Sequence, residues 1–448
     1  MRGIDWVLSI CIVLNSFSAQ ADSLSARNTS NEGAACYERG EYAQAEKLLT
    51  RSIALWTEAN KTSDDEYAST LNNLAAVYRV EAKYEEAGKL YRQAVQIREQ
   101  NGASLSLQNA GVLHNLARLY FETARYRSAE EFARQALAIR EKALGKSDAA
   151  IAQSTNLLGM ILQDTGRVAD ALQLYLKALQ TAEGSVNAQD RTVAEILTNL
   201  GTAYRLSGDF PRAQRVLARA VGLLRGQKYF SPLLPVALNN LGLVARTEGD
   251  EKQAEGLFRE ALDLWERNSG TPQPEYASTL SNLALIYKDR HSFTKARALY
   301  LQALEIHESK LGTGNPQAGN DLLNLGEISY LMHKRDAAET FFHQALASEK
   351  KRGGAPTSVT GFSLANLAIM ALRQKNTAGA EELLRAAVGN LSVTTSPDDP
   401  RLVMIFEAYA DALKAGHHYS EAETTELKAM RIRVRTAIRN AGVNSFRE

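Results

Sequence analysis

The chain has almost no cysteine. Two residues in 448, Cys11 and Cys36, cannot build a disulfide framework or a cysteine-rich metal site. Charge of one sign is also missing, with 52 Lys+Arg against 51 Asp+Glu, so no bulk attraction to nucleic acid is expected. No apolar run approaches the roughly 20 residues that a bilayer-spanning helix needs. Nine prolines and 29 glycines are too few to predict disorder. The motifs of common chemistries are absent as well: no HExxH, no GxxxxGK[ST] phosphate loop and no GxSxG nucleophile turn. The seven histidines are scattered, and the adjacent pair His417-His418 would point apart on a helix. The expectation is a protein that is not an enzyme, with no catalytic residue, cofactor or metal.

What is present begins with an export signal. Arg2 supplies a positive start, Trp6 to Leu14 a short apolar core, and Ala19-Gln20-Ala21 a small-x-small cleavage pattern. Residues 1–21 are therefore expected to be removed after Ala21, leaving a periplasmic or secreted chain of bacterial type. Cys11 would leave with the leader. Cys36 would remain alone, either as a small buried apolar residue or as one end of an intermolecular disulfide.

Beyond the leader one building block recurs. Alanine stands at Ala45, Ala87, Ala129, Ala171, Ala213, Ala254, Ala296, Ala338, Ala380 and Ala422, in steps of 42 residues with a single 41. Seven residues later runs a second small column: Ser52, Ala94, Ala136, Ala178, Ala220, Ala261, Ala303, Ala345, Ala387 and Ala429. In the segment 67–99, Leu71, Leu74, Ala75 and Tyr78 recur at helical spacing, and Tyr84, Ala87, Leu90, Tyr91, Ala94 and Ile97 form a second stripe. Between them, Ala82 occupies a turn position held elsewhere by Ala124, Gly166, Gly208 and Gly249, or by His291, His333 and His417. Each block thus reads as helix, turn, helix. The alanines have a mechanical reason: two helices approach closely only where side chains are small. Ten blocks predict an all-α solenoid over residues 22–440, with 441–448 as a tail.

Leu74-Ala75, Tyr78, Ala82, Tyr84, Ala87, Tyr91 and Ala94 fall on the small and aromatic positions of the tetratricopeptide repeat, and the chain resembles that family from about residue 30 to 440. The 42-residue step is similar to the longer repeat of kinesin light chains, as are the stretches 67–78, 276–287 and 303–316. The resemblance implies a right-handed superhelix that binds proteins or peptides in a concave groove lined by the first helix of each pair. It does not imply a motor role, because the chain has an export signal and no heptad segment.

Two polar columns fall on those first helices. Asparagine precedes the leucine position at Asn31, Asn73, Asn115, Asn199, Asn240, Asn282, Asn324 and Asn366, with Leu157 and Ala408 as exceptions. Asparagine is a mediocre helix former, so its recurrence there requires a role. The resemblance implies that Asn73, Asn115, Asn199, Asn240, Asn282, Asn324 and Asn366 hold the main chain of a bound peptide, since an amide donates and accepts at once. The alternative is that each bonds a neighbouring helix and fixes repeat geometry. Six residues on, Arg79, Arg205, Arg246, Lys288 and Lys414 stand among Phe121, Gln163, Tyr330 and Leu372, and Arg118 lies one turn before Phe121. Arg79, Arg118, Arg205, Arg246 and Lys288 are expected to select an acidic segment, unless they pair with acids on facing helices. Leu243, Leu285, Ile369 and Leu372 make the later groove more apolar. The segment Lys228–Pro235 (KYFSPLLP) is expected either to pack beneath the next helix or to stand as an exposed anchor.

The last helix is rich in base, with Lys428, Arg431, Arg433, Arg435 and Arg439. It reads as a solvated cap, or as a patch for an acidic partner or membrane surface that lacks aromatic anchors. The expected function is an exported protein-interaction scaffold binding a peptide or partner protein. The alternative is a structural, oligomerising component of a cell-envelope assembly.

Overall fold

A computed structural model of the chain describes residues 22–185, 190–227, 230–268, 273–353 and 357–444. The leader and its cleavage site lie outside them. The described residues form twenty helices and no strand. The chain divides into two compact halves, residues 1–228 and 229–448. The first half holds α1 (22–38), α2 (Tyr42–Glu58), α3 (Asp65–Val80), α4 (Tyr84–Gln100), α5 (Leu107–Glu122), α6 (Tyr126–Ala143), α7 (Ala149–Asp164), α8 (Val168–Glu183), α9 (Asp190–Leu206) and α10 (Phe210–Arg225). The second holds α11 (Leu233–Thr247), α12 (Glu251–Asn268), α13 (Pro274–Asp289), α14 (Phe293–Leu311), α15 (Pro316–Leu331), α16 (Arg335–Arg352), α17 (Ser358–Arg373), α18 (Thr377–Thr394), α19 (Leu402–Ala415) and α20 (Tyr419–Asn444). The last helix thus continues past residue 440 into the segment expected to be a tail.

Each half is five antiparallel helix pairs, and within a half each pair packs on the next. The ten alanines of the first column are all fully buried, and so are nine of the second, with Ala429 at 2% exposure. Large side chains sit between the two columns, at Tyr91, Tyr175, Leu217, Phe258, Tyr300, Phe342 and Leu384, and all are buried. They fill space left by small residues on the partner helix, and at several positions alanine itself is too large for that partner. A Cβ placed on Gly242 would come within 2.6 Å of the Phe258 ring, and one on Gly159 within 2.7 Å of Tyr175. Gly201 and Gly326 face Leu217 and Phe342 in the same way. The sequence columns captured the alanines but not these glycines, whose meaning depends on the ring opposite.

The turn between paired helices is left-handed in every unit: Gly40, Ala82, Ala124, Gly166, Gly208, Gly249, His291, His333, Lys375 and His417 all have φ between 55° and 84°. The histidines here therefore serve a backbone turn, as the repeat register predicted. Units are also tied at their seams. Near the end of several second helices one residue reaches the following unit: Trp56 to Thr70 (3.2 Å), Arg98 to the Gln108 carbonyl (2.9 Å) while also donating to Ser69 of its own unit (2.8 Å), and Arg140 to Ser154 (2.7 Å) and to the Ala150 carbonyl (2.9 Å). In the second half, Glu349 accepts from the Thr357 hydroxyl at 2.7 Å. Cys36 is buried at 3% exposure against Leu49 and Leu74, which fits a small apolar core residue. Leu234 is buried, while Phe230 meets Trp265 edge-on at 6.4 Å and stays 36% exposed, so the apolar segment packs inward at Leu234 and is partly open at Phe230.

Candidate peptide-binding face

The first helices of successive pairs touch one another: α3 with α5, α5 with α7 and α7 with α9 in the first half, and α11, α13, α15, α17 and α19 in sequence in the second. Among the described residues the second helices do not touch one another. Each half therefore curves with its first helices on the inner side, and both polar columns lie on those helices.

All seven candidate asparagines are partly exposed. Three form rungs between first helices. Asn115 donates to Asn72 of α3 (2.9 Å), Asn199 to Asn156 of α7 (3.0 Å) and Asn282 to Asn239 of α11 (2.8 Å). Asn73 accepts from its neighbour Asn72 at 3.2 Å. Asn324 and Asn366 donate to carbonyls one turn back, Asn320 (2.9 Å) and Phe362 (2.9 Å). Asn240, on α11, is partly exposed. The column thus lies on the inner face and contributes to the joints between units. The partner position, one residue ahead of the column, was missed by the sequence reading. Asn72, Asn156 and Asn239 recur there as a second, sparser asparagine series.

The basic column divides into two kinds. Arg79 pairs with Glu122 of the next unit (2.5 Å), Arg118 pairs with the same carboxylate (3.4 Å), and Lys288 pairs with Glu327 (2.7 Å) while donating to Asn324 (3.0 Å). Arg79 and Lys288 extend the ladder between first helices, while the Arg118 pair lies within α5. Arg205 of α9 and Arg246 of α11 have no carboxylate at ion-pair distance among the described residues, and the buried Nε of each has no acceptor. Burial holds the Arg205 guanidinium below the usual arginine range. A buried donor without an acceptor costs about 1–3 kcal/mol, so these two groups are the electrostatically unfinished points of the face. His114, just before Asn115, is surrounded by positive charge. Burial first, then Arg140, Arg118 and Arg79, lower its pKa to about 3. Leu243 and Leu372 pack against the cores of the second half.

One buried trio has the composition of a nucleophilic triad. Asp321 meets His307 Nδ1 at 2.7 Å, and Ser278 Oγ lies 3.3 Å from His307 Nε2. The arrangement does not serve catalysis. His307 is 1% exposed, its Nε2 also lies 3.3 Å from the Pro274 carbonyl, and Asp321 is held by Ser281 at 2.6 Å. Ser278 lies within a helix, whose backbone N–H groups are used in that helix and offer no oxyanion site. His307 falls in the seam column of Trp56, Arg98, Arg140 and Glu349, and it ties α14 to α13 and α15. Among the described residues no group of His, Cys, Asp and Glu is arranged to hold a metal ion, and no helix is long and apolar enough to cross a membrane.

Solved structures with a similar fold include the quorum sensor NprR and RapI, and a repeat protein aligns more loosely. The apo quorum sensor NprR from B. thuringiensis aligns at TM-score 0.54 and 13% identity, covering 72% of this chain and 86% of that one. Apo RapI aligns at TM-score 0.51 and 15% identity, over 64% and 100%. The nearly identical repeats of a kinesin light chain from Podosopora anserina align at TM-score 0.39 and 21% identity, over 46% and 99%. No curated protein sequence matches the chain significantly. The tetratricopeptide-repeat family model matches residues 23–100, 66–142, 148–226, 233–306 and 275–351. With ten helix pairs in register and that match over well more than half its length, the chain belongs to the tetratricopeptide-repeat family.

Proposed function

We propose that the chain is an exported scaffold that binds an acidic peptide or protein segment on the inner faces of its two halves, with Arg205 and Arg246 as carboxylate-reading groups. The observation that carries this reading is that neither arginine has a carboxylate at ion-pair distance among the described residues. Arg79, Arg118 and Lys288 spend their charge on Glu122 and Glu327, whereas Arg205 and Arg246 keep theirs. A carboxylate arriving at the exposed part of either guanidinium forms a charge-assisted bond, which contributes about 1.5–3 kcal/mol. The part-exposed amides beside them can bond a peptide main chain without regard to its side chains. The charged start, short apolar core and Ala19-Gln20-Ala21 pattern of residues 1–21 support export, and an exported scaffold would meet its partner outside the cytoplasm.

An array of acidic, neutral and basic peptides probed with the purified protein tests the reading. Acidic peptides should bind best. Arg205→Glu and Arg246→Glu, made singly, should each weaken binding about tenfold or more, while Arg118→Glu, whose charge is already paired, should matter less. Equal binding of all three peptide classes, or no effect of either charge reversal, refutes it. Export is tested separately, by N-terminal sequencing of the secreted chain, which should begin at Asp22.

A further inference from the structure

A helix begins with unpaired N–H groups and a partial positive charge, and both favour an anion. In several units the preceding second helix supplies it. The residue after each buried alanine of the first column is glutamate in six of ten units. Glu46 reaches Lys83 at the start of α4 (3.2 Å), Glu130 reaches Arg167 at the start of α8, and Glu381 reaches His418 at the start of α20 (3.1 Å). Each pair is 37 residues apart, so one register produces all three. Glu255 pairs with Arg290, just before α14. Helices α10, α12 and α18 carry caps of their own, Asp209, Asp250 and Asn376.

Helix α6 has neither device. Its cap position is Arg125, whose side chain makes no cap bond, and the residue due to face it from α4 is Gly88. A cavity of about 260 Å³ lies there, lined by Gly88, Lys89, Arg92, Tyr120 and Arg125 together with Glu85. Arg92 donates to the Tyr120 hydroxyl (3.3 Å), and the Arg125 guanidinium lies over the Tyr120 ring, 4.5 Å from its centre. Lys89, Arg92 and Arg125 have no carboxylate at ion-pair distance among the described residues, Glu85 included. A Cβ on Gly88 would first meet a guanidinium nitrogen of Arg92, at 3.2 Å. At α16, which also lacks the acid, Arg297 fills the corresponding position.

We infer that the cavity between α4 and α6 is a carboxylate-binding site, which takes from a ligand the group that Glu46 and Glu130 supply one unit before and one unit after. Two guanidinium groups offer planar N–H forks that suit a carboxylate. The volume admits a short acid, either a free four-carbon dicarboxylate or one glutamate side chain of a partner, and not a folded element. The site lies between second helices, away from the inner face that carries Arg205, so the two can be occupied together.

Calorimetric titration with succinate at low salt tests it, in an Arg205→Glu, Arg246→Glu background that removes the proposed inner-face groups. One equivalent should bind. Gly88→Glu puts the chain's own carboxylate in the cavity and should weaken binding by about tenfold or more. Arg92→Gln with Arg125→Gln should weaken it as much, with helical circular dichroism unchanged. A second measurement needs no ligand. Gly88→Glu and Gly88→Gln both replace a helical glycine and fill similar volume, but only glutamate meets the cations. The glutamate variant should melt higher, and the difference should shrink at high salt. A glutamate-bearing peptide blocked at both termini separates the sources: displacement of succinate assigns the site to a partner's side chain, and no displacement assigns it to a small free acid. No succinate bound at about 10 mM, binding indifferent to Gly88→Glu, or equal melting of the two variants overturns the inference. So does inorganic phosphate that binds as tightly as succinate.

Discussion

Replacing Asn199 separates the two roles open to the asparagine column. Its amide donates to Asn156 at 3.0 Å, joining α9 to α7. Asn156 is 5% exposed, so water cannot readily replace the lost donor. Asn199→Leu should destabilise the first half by about 1–3 kcal/mol, the range for stranding a buried acceptor. Adding Asn156→Leu removes the stranded group and should recover about 1 kcal/mol of that loss. The fourth unit already carries leucine in this column, at Leu157, so the shape is tolerated. An array of stacked units does not unfold in one step, so the assay is native-state hydrogen exchange of α7 and α9 in a double-mutant cycle. Acidic-peptide affinity is measured on the same four proteins. If the coupling is near zero while peptide binding falls, the rung has no structural worth and the asparagine serves the ligand alone.

The remaining predictions concern geometry and charge. Ala124 holds φ 55°, a region that costs non-glycine residues about 1–2 kcal/mol, so Ala124→Gly should raise thermal stability by about 0.5–1 kcal/mol after glycine's extra chain entropy. Gly242→Ala should lower it by about 1–3 kcal/mol, because the new methyl overlaps the Phe258 ring, and unchanged melting would refute the close approach. His114 has a folded pKa near 3, below its unfolded value of 6.5, so it contributes stability above pH 6.5 that is lost as pH falls toward 3. The loss should reach about 2 kcal/mol by pH 5, so the wild-type-minus-variant stability difference for His114→Asn, which cannot titrate, should fall by that amount over the range, and a flat difference would refute it.

The solenoid was legible because its determinants repeat. The buried alanines, the left-handed turns and the pairing of helices each recur ten times, and a periodic signal survives chance variation at any one position. Contacts that join a repeated position to an unrepeated one were not legible. Arg79 and Lys288 belong to a visible column, but Glu122 and Glu327, which neutralise them, sit about 40 residues away at positions that other units fill differently. Gly242 reads as a weak helix residue until Phe258 is seen against it. His307 and Asp321 are 14 residues apart and on different helices, so only folding brings them together.

This division also says where function resides in such a chain. A feature shared by every unit sets the spacing of helices and cannot tell one partner from another. Recognition must come from departures. Arg205 and Arg246 depart by keeping their charge where Arg79 and Lys288 lose theirs to a facing glutamate.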